Sequence, residues 1–164
     1  MKIILSVAVT IAALFTTGAQ AEVIKDIHIG AGSADISIGS TSNSDTQYNI
    51  GWGVTSYMDT GFLWGIDFEL SMIDSDADPI YGFGADLKLG YNNKSFAVYG
   101  IGAVLGQDLN NGSDSSTGTG LGAGIEYRVT DWIAISASYK TYSMASSTLD
   151  YDYDLVHVNL KYIF

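Results

Sequence analysis

Hydrophobic and polar residues alternate along much of this chain. Between Phe62 and Ile73, Trp64, Ile66, Phe68, Leu70 and Met72 take every second position, with Gly65, Asp67, Glu69 and Ser71 between them. Tyr81, Phe83, Ala85, Leu87, Leu89 and Tyr91 alternate with Gly82, Gly84, Asp86, Lys88 and Gly90. Leu121, Ala123, Ile125, Tyr127 and Val129 alternate with Gly122, Gly124, Glu126 and Arg128; Val156, Val158, Leu160, Tyr162 and Phe164 alternate with His157, Asn159 and Lys161. A period of two marks β-strands whose faces meet different surroundings. Tyr48 to Val54 and Ile133 to Tyr139 repeat the pattern more weakly. Phe96 to Leu105 is apolar or glycine on both faces, so its facing stays open. The first strand, Ile27 to Ile38, changes parity between Ala31 and Ile36, and a bulge near Gly32 is the expected cause.

The connections alternate in length. Met58 to Gly61, Asn92 to Lys94 and Thr130-Asp131 read as tight turns; Gly39 to Thr46, Asp74 to Pro79, Gln107 to Thr117 and Ala145 to Asp152 read as longer polar loops. Eight strands joined in this way predict an all-β, up-and-down antiparallel barrel. A soluble barrel would put its apolar face inside. Here Lys88, Arg128, Lys140 and Lys161 share faces with Asp67, Glu69, Asp86, Glu126 and many glycines, opposite the large apolar residues. An eight-stranded interior has room only for packed side chains, so small residues and paired charges fit inside and bulky apolar ones face lipid. The reading is an inverted, transmembrane barrel.

The N-terminus and the composition agree with export. Met1-Lys2, the apolar run Ile3 to Phe15 and Ala19-Gln20-Ala21 have the order of a secretory signal peptide, with cleavage expected after Ala21 and a barrel domain over residues 22–164. The apolar run is too short to span a bilayer as a helix. The chain of 164 residues has no cysteine, which excludes disulfides and thiolate metal sites. Its net charge of −11 argues against nucleic acid as a partner. Tyr57, Phe62, Trp64, Tyr91, Phe96, Trp132, Tyr162 and Phe164 lie near the short turns or the C-terminus, where an interfacial girdle belongs; scattered core aromatics are the alternative.

The Gly-rich stretch Gly120 to Trp132, with Glu126-Tyr127 and Thr130-Asp131, together with the alternating C-terminal Val158, Leu160, Tyr162 and Phe164, resembles the small outer-membrane β-barrel family of the OmpA transmembrane domain, OmpX and opacity-protein type. The resemblance implies residence in the outer membrane of a Gram-negative bacterium, contact with its lipid and lipopolysaccharide, and insertion by the barrel-assembly machinery, for which those four C-terminal residues are the signal. With the chain stopping at its last strand, no peptidoglycan-binding domain is expected. Fold does not fix function in such proteins.

Two candidate sites follow. Asp67, Glu69, Asp86, Lys88, Glu126, Arg128, Lys140, His157 and Lys161 are expected in the lumen, either as an ion-pair network that fills it or as a polar path for water and small ions. The loop carboxylates Asp74, Asp76, Asp78, Asp150, Asp152 and Asp154 are either a solvated surface or ligands for divalent cations shared with lipopolysaccharide phosphates. Asp74 to Asp78 opens like an EF-hand loop, but Pro79 and Ala85 replace its Gly and Glu. Gly118 to Ala123 fits a dinucleotide fingerprint only superficially, because no helix pattern follows. With His28 and His157 the only histidines and neither in a recognisable hydrolase motif, no catalytic residue and no cofactor is expected. The expected role is structural or interactive, with a narrow channel as the alternative and a lipid hydrolase as a remote one.

Overall fold

A computed structural model describes residues 21–75, 79–93, 95–109, 114–146 and 150–164. Eight strands follow in order: β1 (Ala21–Ile38), β2 (Thr41–Met58), β3 (Phe62–Asp74), β4 (Ile80–Asn93), β5 (Phe96–Leu109), β6 (Asp114–Arg128), β7 (Ile133–Ser146) and β8 (Asp150–Ile163). Each pairs antiparallel with the next, and β8 pairs with β1, so the sheet closes and leaves no free edge. Following paired residues around the wall from Asp26 leads through Gly53, Asp67, Asp86, Ala103, Gly120, Tyr142 and Tyr153 to Ile36, ten residues further along β1. That stagger tilts the strands and sets the narrow bore of an eight-stranded barrel.

The strands are longer than the alternating segments implied. β1 and β2 have 18 residues each, against roughly 9–11 needed for a tilted strand to cross a bilayer. The expected first loop, Gly39 to Thr46, is mostly strand, and β1 turns into β2 at Gly39-Ser40 with Gly39 at φ 61°. Much of the other long connections is also strand: Gln107 to Leu109 and Asp114 to Thr117 belong to β5 and β6, and Ala145 to Ser146 and Asp150 to Asp152 to β7 and β8. The barrel therefore continues past the lipid as a walled rim.

This extension explains the parity change in β1. There is no bulge: β1 pairs with β2 without interruption from Ala21↔Met58 to Ile38↔Thr41. Ile27 and Ile29 face outward and are exposed, whereas Ala34 is buried and Ile36 packs against the interior. The strand keeps its register and its surroundings change. In lipid the wall must be apolar outside; above lipid, water favours the opposite. β8 inverts at the same level: Val156, Val158, Leu160 and Tyr162 face out below it, and Tyr151, Tyr153 and Leu155 face in above it. β7 does likewise, with Ile133, Ile135 and Tyr139 outside below and Tyr142 and Met144 inside above.

The strand left open, β5, faces Tyr99, Ile101, Ala103, Leu105 and Gln107 inward, and Phe96, Val98 and Val104 outward. The lower girdle contains exposed Phe62, Tyr91, Phe96, Trp132, Tyr162 and Phe164. Trp64 shares their outward parity but is buried. Tyr57 departs from the expected girdle: it is buried inside and donates a hydrogen bond to Glu126 Oε1 at 3.1 Å. Its parity on β2 is that of Asn49 and Thr55, which makes it a lumen residue.

Candidate functional site: the charged lumen

Three buried lysines organise the interior, Lys88 and Lys140 near the middle of β4 and β7 and Lys161 close to the end of β8. Lys88 Nζ on β4 lies 2.8 Å from Asp67 Oδ2 on β3. Lys140 Nζ on β7 lies 2.9 Å from Asp86 Oδ2 and 3.9 Å from Glu69 Oε2. Lys161 Nζ on β8 reaches three carboxylates, at 3.0 Å from Glu126, 3.4 Å from Asp26 and 3.9 Å from Asp67. The ions are drawn from β1, β3, β4, β6, β7 and β8, so the ion pairs tie distant strands across the bore. These pairs offset a burial that would cost several kcal/mol for an unpaired charge.

Glycine makes this possible. A Cβ at Gly32 would fall 2.7 Å from His157 Cδ2; one at Gly51, 2.4 Å from His28 Nε2; one at Gly53, 2.2 Å from Asp67 Oδ1. The polar side chains lie flat across wall positions that carry no side chain, because the bore is too narrow for both.

The geometry joins eight of the nine residues singled out in the sequence: Asp67, Glu69, Asp86, Lys88, Glu126, Lys140, His157 and Lys161. Arg128 is different. Its guanidinium sits 5.2 Å from the Tyr57 ring centroid at the lower rim and makes no ion pair among the described residues. The register explains this, since Arg128 pairs with Ala134 at the bottom of the wall while Lys161 lies beside Ala134 on the other side and takes Glu126. The sequence reading missed Asp26 and His28, whose side chains are 2.9 Å apart (Asp26 Oδ1 to His28 Nδ1) and buried. Their alternation with Ile27 and Ile29 was the available signal, obscured by the expected bulge.

Above and below the charges the lumen is lined by large apolar and tyrosine side chains with a few buried polar groups among them. Tyr142 and Tyr153, with ring centroids 5.6 Å apart, join Leu105, Met144, Leu155 and Ile73 in a buried layer above, and Ile24, Leu63 and Ile163 lie below. Tyr151 Oη donates to Gln107 Oε1 at 2.6 Å near the top.

The acidic residues proposed as cation ligands are separated by the structure. Asp74 ends β3, and Asp150, Asp152 and Asp154 alternate along the outer face of β8, Asp154 accepting a hydrogen bond from Tyr139 Oη at 2.9 Å. Asp76 and Asp78 lie outside the described residues. Among the described residues no three His, Asp or Glu side chains converge as a metal site. Gly118 to Ala123 lies within β6 and opens no helix.

An inverted, closed, eight-stranded barrel with an apolar belt and a charged interior defines an integral outer-membrane protein. Residues 6–164 match the family model described as the outer membrane protein beta-barrel domain, and the chain belongs to that family. Its place is accordingly the outer membrane of a Gram-negative bacterium. Solved structures share the fold, two of them as follows. Neisserial surface protein A matches with a TM-score of 0.59 and 18% identity over 85% of this chain and 97% of that one. Ail, the attachment invasion locus protein of Yersinia pestis, matches with a TM-score of 0.60 and 16% identity over 87% of this chain and 99% of that one. No curated protein sequence matches significantly.

The C-terminal strand carries the residues for which the family resemblance implies a part in assembly. Val158, Leu160, Tyr162 and Phe164 all face outward, and the Phe164 amide donates to Lys25 O at 3.0 Å, closing β8 on β1. Phe164 is 60% exposed, so its ring adds little to internal packing. Phe164→Ala is expected to cut the amount of inserted barrel several-fold and to leave the unfolding midpoint of the inserted fraction nearly unchanged. Quantifying folded protein in outer-membrane fractions checks this, and wild-type levels would refute the assembly role.

Proposed function

We propose that the protein is a non-catalytic, non-conducting barrel that presents an acidic wall at the cell surface to divalent cations, which bridge it to lipopolysaccharide phosphates. One observation carries this reading: above the lipid-facing belt the described outer wall bears Asp35, Asp74, Asp108, Asp150, Asp152 and Asp154 and no Lys or Arg. Asp35 and Asp154 are directly paired across β1 and β8, and like charges placed so repel unless a cation lies between or near them. All six lie within paired strands rather than in loops.

Charge also bears on the kind of partner. Ail of Yersinia pestis has been solved with the heparin analogue sucrose octasulfate, a polyanion. A wall with only carboxylates repels such a ligand and favours cations. The tyrosine-rich layer over the ion pairs supports the absence of conduction, since an apolar constriction sheds water and ions. A non-catalytic role is supported by the two histidines: His28 is held by Asp26 and His157 by Gln47, both behind the wall and away from lipid.

The test is made on folded protein in lipid. Millimolar Ca²⁺ is expected to raise the thermal unfolding midpoint by several degrees, an effect lost in a variant with Asp35, Asp152 and Asp154 changed to Asn. Planar bilayers should stay silent. Equal midpoints with and without Ca²⁺ would remove the cation reading, and reproducible conductance steps would favour the channel.

A further inference from the structure

Glu69 differs from the other lumen carboxylates. Asp67, Asp86 and Glu126 each have an ammonium within 3.0 Å, and Asp26 has both His28 at 2.9 Å and Lys161 at 3.4 Å. The nearest ammonium to Glu69 is Lys140 at 3.9 Å, and that group is committed to Asp86. Within the network, five carboxylates (Asp26, Asp67, Glu69, Asp86, Glu126) face three lysines. Among the described residues of this network positive charge is in short supply, and the shortage falls at Glu69.

A second group beside Glu69 is also incomplete. His157 is fully buried, and its Nδ1 has no hydrogen-bond partner. This atom lies 3.7 Å from Glu69 Oε2. On the other side of the ring, Nε2 is 2.8 Å from Gln47 Oε1, an oxygen that also accepts from Tyr153 Oη at 3.1 Å. With the Gln47 amide in this orientation, its own Nε2 without a hydrogen-bond partner, the oxygen accepts and the ring Nε2 carries a proton. A neutral ring would then turn the Nδ1 lone pair toward a carboxylate, two acceptors with nothing between them. A second proton on Nδ1 resolves both defects. The ring becomes a double donor between Gln47 and Glu69, and the missing positive charge appears where it is short.

We propose that Glu69 and His157 form a buried proton-binding site, in which an imidazolium held by the Glu69 carboxylate braces β3 against β8 across the lumen. The proton comes from solvent and is bound and released as such; no other bond changes. The surroundings divide in their effect. On β7, the Lys140 ammonium opposes a charged ring. On β4, Asp86 favours it, though Lys140 largely neutralises that carboxylate. On β2, Asn49 Nδ2 donates to Glu69 Oε2 at 3.0 Å and stabilises the carboxylate, while Gln47 is the neutral acceptor. Tyr153 of β8 shares the Gln47 oxygen with the ring, and from β1 Gly32 backs onto the ring while His28 opposes a second charge there. Glu69 is the carboxylate that faces Nδ1, 3.7 Å away, with its own nearest ammonium, Lys140, at 3.9 Å.

The experiment uses protein purified from outer membranes, reconstituted in lipid nanodiscs and labelled with ¹⁵N at histidine. His157→Asn identifies the His157 resonances by their loss. At pH 7 the wild-type ring is expected to show both nitrogens protonated. In Glu69→Gln, whose side-chain amide can donate to Nδ1, the ring should become neutral with the proton on Nε2 only. The slower gel migration of heat-unfolded barrel verifies that each variant is folded before spectra are compared. A wild-type ring that stays neutral down to pH 5, in either tautomer, overturns the site, with water then filling the gap. An imidazolium that persists unchanged in Glu69→Gln also overturns it, because Glu69 would not be holding the proton.

Discussion

Lys161→Met is expected to destabilise the barrel by about 3–5 kcal/mol, the cost of removing one partner from a buried charge cluster. Methionine keeps the length of the chain and its packing, so the loss isolates the ammonium. Lys161 contacts Glu126, Asp26 and Asp67 at 3.0, 3.4 and 3.9 Å and is 3% exposed. Without it, among the described residues, Glu126 keeps the Tyr57 hydroxyl and Asp26 keeps His28 as close partners. Arg128→Ala is the control, with an expected loss of about 1 kcal/mol, the size of an exposed cation–π contact. Urea unfolding in lipid vesicles, followed by tryptophan fluorescence, measures both. If the two variants shift the midpoint equally, the hierarchy drawn from the geometry is wrong.

The glycines give the second large effect. Gly32→Val should prevent a stable barrel from forming. A Cβ there would sit 1.8 Å from the Val156 carbonyl oxygen and 2.7 Å from His157 Cδ2. The first of these is backbone inside a paired ladder and cannot step aside, so the penalty exceeds the roughly 1–3 kcal/mol typical of overpacking. Gly102→Val should do the reverse. Gly102 faces lipid on β5, and a Cβ there meets nothing within 4 Å. Removing the conformational freedom of glycine in a strand, worth roughly 0.5–1 kcal/mol, and adding a β-branched side chain should raise stability by about 1 kcal/mol. Yield of folded protein for the first and urea midpoint for the second are the readouts. A well-folded Gly32→Val would mean the β1–β8 wall is looser than the structure describes.

How much of this could be read in the chain depends on where each residue sits. The strands with the cleanest alternation, β3, β4, β6 and the lower part of β8, lie within the bilayer, where one face meets hydrocarbon and the other a charged bore. There the contrast between surroundings is greatest and is written into successive residues. Lumen positions such as Asp67, Lys88 and Lys161 follow from parity alone. The upper halves of β1, β7 and β8 were harder. Within the expected first strand, Ala34 and Ile36 look out of phase with Ile27 and Ile29. They are strand, and their phase is right for a wall standing in water. β5 stayed ambiguous because Ile101, Ala103 and Leu105 fill the bore with apolar groups opposite lipid-facing Val98 and Val104, so neither face was polar.

Periodicity, glycine placement and the position of charges therefore determined the closed inverted barrel, its direction in the membrane and the membership of most of its lumen. Those properties depend only on which face of a strand each residue occupies, and a period of two states that directly. Tertiary structure alone decided which charges meet. The ten-residue stagger of the closed sheet brings Lys161 to Glu126, Asp26 and Asp67, leaves Arg128 on Tyr57, and sets Glu69 beside His157. Register and closure are properties of all eight strands together, and no single strand carries them in its sequence.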